Sequence, residues 1–185
     1  MTTPLIPPTR PGADRYAVLF VCLGNICRSP MAEAIFIHRA SSRGLLHRLD
    51  IDSCGLGDWH VGGPADPRTI AACRKRGVSV PSIARLWNPA TDPARFDLIV
   101  PMDRQNHRAL TSRGAPPERL RMMRAFEVAA GASSLRPPGD GATVPDVPDP
   151  YTGPDAGFDD LFEMLHRACD GLLDAVESSV FLPPG

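Results

Sequence analysis

Val18-Leu19-Phe20-Val21-Cys22-Leu23-Gly24-Asn25-Ile26-Cys27-Arg28-Ser29-Pro30 decides how the rest of the chain is read. It opens with a short apolar run bounded by turn residues, the pattern of a buried strand. Gly24-Asn25 marks a turn. Ser29 then falls at a helix N-cap position, with Pro30 at the first helical position and Glu33 soon after. The order is strand, tight loop, helix. A loop that ends at a helix N-terminus turns backbone N–H groups inward and forms an anion site. Cys22 starts this loop and Arg28 ends it. Positive charge beside a thiol favours the thiolate, which is the nucleophilic form. The stretch reads as a phosphate cradle with a nucleophile at its base.

The bare spacing Cys-x5-Arg decides little. With 5 Cys and 19 Arg among 185 residues, chance supplies about half a hit. The weight comes from context: the strand ahead, the Gly24-Asn25 turn, Ser29 within reach of the thiol, and Pro30 opening a helix. A structural turn holding a buried cysteine is the competing reading.

Working outward, 185 residues make one domain with room for a sizeable core. A net charge of −1 gives no broad basic field for nucleic acid or a membrane surface. The five Cys show no CxxC pair and no zinc spacing, and the five His form no HExxH, so no metal is expected. No run reaches the roughly 18 apolar residues of a membrane span, and no apolar signal core opens the chain. The expectation is a reduced, cytoplasmic setting, with export without a signal left open.

Residues 1–14 are Pro-rich and read as a mobile lead-in to one domain over 15–182. The first strand covers Tyr16 to Cys22, and a helix runs from Pro30 to about Ser42. Leu49 to Ser53 alternates as a second strand would. Residues 55–64 form a Gly-rich loop around Trp59. That ring either walls a cleft for an aromatic group or folds onto the surface; His60 carries no assigned role. Asp66-Pro67 opens a helix that ends at Gly77. Phe96 to Met102 is a buried strand in which Pro101 points to an edge or terminal position. Asp103 caps a helix to about Arg113, and Arg119 to Ala125 is read as a fourth, short strand. Residues 127–148 are long and rich in Gly, Pro, Ala and Ser. Phe158 to Val180 carries an apolar stripe at helical spacing. Strands alternating with helices predict a parallel α/β sheet.

Residues 18–36, VLFVCLGNICRSPMAEAIF, together with Asp149-Pro150-Tyr151, resemble the low-molecular-weight protein tyrosine phosphatases over roughly residues 16–180. The resemblance implies an α/β fold with a four-stranded parallel sheet, helices on both faces and the phosphate loop after the first strand. It implies a monomer that hydrolyses phosphotyrosine on a protein or peptide through a cysteinyl-phosphate, without a cofactor. Cys22 is then the nucleophile, Arg28 the oxyanion clamp and Asp149 the general acid, with Asp146 as the local competitor. Leu23, Gly24, Asn25, Ile26, Cys27 and Ser29 form the phosphate cradle, and Trp59 and Tyr151 the walls of the slot. Cys27 either protects Cys22 by a reversible disulfide or fills space. The family often has a second aromatic after Tyr151; here Thr152 stands there.

Three alternatives remain open. A thiol arsenate reductase of this fold needs downstream relay cysteines, and Cys54, Cys73 and Cys169 form no close pair late in the chain. A protein-arginine phosphatase carries Thr where this chain has Ile26. A non-enzymatic phosphate-binding module would have lost Cys22, Arg28 or Asp149, and all three are present.

Overall fold

The computed structural model describes residues 4–130 and 144–181. Strand β1, Tyr16–Cys22, is buried at every residue. It lies between β2, Leu49–Gly55, and β3, Leu98–Pro101, and pairs in parallel with both. Parallel neighbours need crossovers. Helix α1, Arg28–Ser42, links β1 to β2, while α2, Pro67–Arg74, and the short α3, Asp92–Arg95, lie between β2 and β3. Beyond β3 come α4, Arg104–Ser112, α5, Arg124–Ala130, and α6, Ala156–Val176.

Side chains alternate across a strand, and β1 uses both faces. Val18, Phe20 and Cys22 enter a large apolar cluster with Met31, Ile35 and Phe36 of α1 and Leu165, Cys169 and Leu172 of α6. Ala17, Leu19 and Val21 enter a smaller one with Trp87, Phe96 and Leu110. Apolar burial on both faces places the carboxyl end of β1, and so the Cys22 loop, at the mouth of the sheet, where open α/β sheets bind ligands.

Among the described residues the sheet has three strands, not the four expected. The segment expected to be the fourth touches β3 through one bridge, Ile99 to Leu120. The Arg121 amide donates to Ile99 O at 3.1 Å and the Met123 amide to Pro101 O at 3.0 Å. The next return bond would need an N–H at residue 101, which is proline. The ladder stops there, and Arg124 starts α5.

The first described residues make contacts with the sheet and the helices. Leu5 and Ile6 are only 2% and 6% exposed and join the larger cluster. Tyr16 Oη donates to Pro7 O, and the Arg121 guanidinium donates to Pro4 O. Arg10 donates from its backbone and its Nε to the fully buried Asp97, which also accepts the Ala17 amide at 2.7 Å. A buried carboxylate demands such partners, so residues 4–10 are held against the domain.

Smaller shifts occur at helix ends. Helix α1 begins at Arg28, with Cys27 and not Ser29 at its N-cap. Asp66 caps α2 through the Arg68 amide, and Gly77, at φ 73°, closes it, with the Val78 amide bonded back to Cys73 O. Helix α6 ends at Val176 and passes into a wider turn, Glu177–Phe181. Most of the 127–148 stretch, residues 131–143, lies outside the described residues.

Candidate active site

The loop after β1 turns its carbonyls outward. Leu23 O accepts the amides of Leu56 and Gly57, each at 2.9 Å, Ile26 O accepts that of Asp66 at 2.8 Å, and Cys27 O that of Met31 at 3.2 Å. Among the described residues, the amides of Gly24 to Cys27 donate to no protein acceptor. Outward carbonyls and inward amides at a helix start make an anion-binding concavity. The end of β2 presses close behind it: a Cβ on Gly55 would lie 3.1 Å from Leu23 O and 3.2 Å from the Asn25 amide nitrogen. That closeness requires glycine.

Asn25 bends the loop. Its φ of 54° is left-handed, a conformation Asn tolerates better than most residues. The side chain is fixed at both ends. Oδ1 accepts the Arg85 amide at 2.9 Å, while Nδ2 donates to Ser29 Oγ at 2.9 Å and Ser53 Oγ at 2.8 Å. Ser53 and Ser82 in turn donate to the buried Glu33. The Ser29 hydroxyl accepts from Asn25 and lies 3.0 Å from Cys22 Sγ, where either group can donate, and 3.4 Å from Cys54 O. Asn25 and Ser29 therefore stand behind the loop and orient it.

Arg28 is 3% exposed and is gripped by two carboxylates. Nη1 donates to Asp103 Oδ2 at 2.6 Å and to Val147 O at 3.2 Å, and Nη2 donates to Asp149 Oδ2 at 2.8 Å. Asp103 serves twice, since its Oδ1 caps α4 through the Asn106 amide at 2.7 Å. Asp149 is half in solvent, its side chain 45% exposed, and its Oδ1 accepts the Tyr151 amide. Asp146 is turned elsewhere: Arg104 at the start of α4 donates to it from backbone and side chain. It lines a neighbouring groove and not the cavity above Cys22.

That cavity is about 390 Å³. Cys22, Leu23, Gly24, Ile26, Cys27 and Arg28 form its floor, and Trp59, His60, Asp149 and Tyr151 rise around it. Trp59 is 70% exposed, so it stands as a wall and not as a core residue. Tyr151, 49% exposed, is steadied by Arg68, whose Nη2 donates to its carbonyl and whose guanidinium lies 5.7 Å from the ring centre. All five cysteines carry free thiols. Burial, aided by Asp66, pushes the Cys27 thiol up to about 12, which keeps it protonated. Among the described residues no group of three His, Cys, Asp or Glu gathers as a metal cluster, and no helix is long and apolar enough to cross a membrane.

A family model described as low molecular weight phosphotyrosine protein phosphatase matches residues 17–181. The chain belongs to this family. A low molecular weight protein-tyrosine-phosphatase of Streptomyces coelicolor is 43% identical over 169 residues, covering 89% of this chain and 96% of that one. Low molecular weight protein-tyrosine phosphatase A of Mycobacterium tuberculosis is 38% identical over 165 residues, with 89% and 94% covered. A crystal structure of a protein tyrosine phosphatase from Entamoeba histolytica, with Hepes in the active site, matches with a TM-score of 0.74 at 34% identity, covering 88% of this chain and 97% of that one.

The phosphatase site also draws on residues that the sequence did not single out. His60 forms part of the wall, and its only signal was its place beside Trp59 in a Gly-rich loop. The Val147 carbonyl, the Arg68 support of Tyr151 and the Ser53–Glu33–Ser82 chain left no signal, because each joins residues far apart in sequence.

Proposed function

We propose that this chain removes phosphate from phosphotyrosine in two steps. Cys22 Sγ attacks phosphorus, the bond to the tyrosine oxygen breaks, and Asp149 gives the departing phenolate its proton. Water then attacks the cysteinyl-phosphate and yields a proton to Asp149, the sulfur–phosphorus bond breaks, and phosphate leaves. The Ser29 hydroxyl, oriented by Asn25, donates to Sγ and stabilises it as leaving group. Arg28 and the loop amides hold the phosphoryl oxygens as charge develops on them. They supply the positive charge that a metal would otherwise bring, so the reading needs no cofactor.

The single observation that carries this reading is the meeting of Cys22, the free amides of its loop and the Arg28–Asp149 pair around one cavity. A phosphate dianion competes with Asp149 for Nη2 of Arg28. Once displaced, the carboxylate is free to face the leaving oxygen. Ile26, apolar at the slot, supports an aromatic ester over phosphoarginine.

The unit proposed is one domain over residues 15–182, acting as a monomer. Five unpaired thiols support a reducing, cytoplasmic setting. The test compares phosphate release from phosphotyrosine, phosphoserine and phosphoarginine peptides by wild type and Cys22→Ser. Phosphotyrosine alone should turn over well, and Cys22→Ser should reduce release to background while still binding vanadate. Wild-type rates in Cys22→Ser would overturn the mechanism.

A further inference from the structure

A second groove, about 550 Å³, adjoins the catalytic cavity and shares Ile26, His60 and Tyr151 with it. Its floor is the exposed side of α2, where Pro67, Ile70 and Ala71 lead to Arg74 at the last helical position. An extended peptide advances about 3.3–3.6 Å per residue. A chain leaving the cavity past Tyr151 therefore reaches this floor within one or two residues of the phosphorylated side chain.

The charges in the groove are not balanced. Asp66 is neutralised, because Arg68 donates to both of its oxygens at 3.0 and 2.9 Å. That hydrogen bonding holds the Asp66 carboxyl below its ordinary value. Next to Arg74, Lys75 pairs with Asp159, and Arg76 pairs with Asp159 and Glu163. Arg74 itself is exposed and has no ion pair among the described residues. His60 closes the opposite side, its ring 3.3 Å from where a Cβ on Gly24 would stand. In every protonation state an imidazole offers at least one N–H. One uncompensated cation and one donor at the ends of an apolar floor match a side chain with an apolar stem and an anionic tip.

We propose that this groove is a subsite for an acidic side chain of the substrate, one or two residues from the phosphotyrosine, with Arg74 pairing its carboxylate. The proposal rests on the phosphotyrosine reading above. Arg74 touches no reacting atom and acts on choice of substrate alone.

The experiment uses phosphotyrosine peptides that differ at one position, from two residues before to two after, carrying Glu, Ala or Lys. Wild type should show a kcat/KM ratio of Glu over Ala of about two- to fivefold at one position, the range of an exposed ion pair. In Arg74→Ala that ratio should fall to about one, and in Arg74→Glu the Lys peptide should become the better substrate. Arg108→Glu changes the same charge on α4, which does not line the groove, and should keep the wild-type ratio. No Glu preference in wild type, a preference that survives Arg74→Glu, or an equal loss in Arg108→Glu overturns the subsite. The Ala peptide reads phosphotyrosine hydrolysis by itself. If wild type leaves it intact, the functional reading falls and the subsite with it.

Discussion

The floor of the site and its walls are held by different means. Cys22, Asn25, Arg28 and Ser29 are each no more than 3% exposed, and each side chain has a fixed polar partner. Trp59 and Tyr151 stand largely in solvent, each with one close support. Gly57 lies under the Trp59 ring, where a Cβ would fall 1.9 Å from a ring carbon, and Arg68 holds Tyr151. The floor meets charge that develops on phosphoryl oxygens, and donors fixed in advance are worth most there. The walls admit an aromatic ring carried on another protein, and a wall that yields suits that task.

The comparison breaks most sharply at Arg28. Arg28→Lys keeps the charge but loses the planar fork that Asp103 and Asp149 orient. With two donors lost at about 10² each, kcat/KM should drop by about 10⁴-fold. Retention of most activity would show that the floor does not depend on its geometry.

Asp149 stands between floor and wall, buried on its Arg28 side and open on the other. Tyrosine leaves as a basic phenolate and needs a proton; a nitrophenolate needs little help. Asp149→Asn should slow phosphotyrosine peptides by about 10²–10⁴-fold and activated aryl phosphates far less. Asp146→Asn, which removes the partner of Arg104, should show no such split. A leaving-group split in Asp146→Asn and none in Asp149→Asn would move the acid to the other carboxylate.

A wall variant should behave differently from both. Gly57→Ala forces the exposed Trp59 ring aside without touching the core. KM for phosphotyrosine peptides should rise about two- to fivefold, the loss of one aromatic contact, with kcat and melting temperature close to wild type. A fall in kcat as large as that of Asp149→Asn would mean that the wall takes part in the chemistry.

The smallest effect lies behind the floor. Burial holds the Glu33 carboxyl above its ordinary 4.5, although hydrogen bonds from Ser53 and Ser82 pull it down. The folded chain therefore keeps that proton more tightly than the unfolded one. The stability tied to it is full below the unfolded value and is lost as pH rises through the raised folded value. Glu33→Gln should flatten this part of the dependence of the urea midpoint on pH. An unchanged slope would assign it to other groups.

The floor was legible in the sequence because its parts are neighbours. Strand, turn, thiol, arginine and helix start all fall within residues 18–30. The walls were half legible: Trp59 and Tyr151 showed as aromatics among turn residues, but nothing local placed His60 beside Gly24 or Arg68 beside Tyr151. The fourth strand was misread because residues 119–125 suit an extended segment, while the residue that ends the ladder, Pro101, sits on another element. Pro101 was noticed as odd without its consequence for the neighbouring segment. The contacts of the first residues left no signal, because Leu5-Ile6 is too short a run for periodicity, and Asp97 and Arg121 lie 87 and 117 positions from the residues they meet.

That last arrangement has a consequence for how the chain is made. Pro4 meets Arg121 across 117 positions, and Arg10 meets Asp97 across 87. At a synthesis rate of about 5–20 residues per second, Pro4 waits roughly 6–23 s before the arginine that donates to it exists. Until then Leu5 and Ile6 have only part of their apolar surroundings, and the Asp97 pocket, once translated, closes from behind. Residues 4–10 are thus made before β1 yet are among the last to dock, and pulse-labelled intermediates should remain open to protease there until translation has passed Arg121.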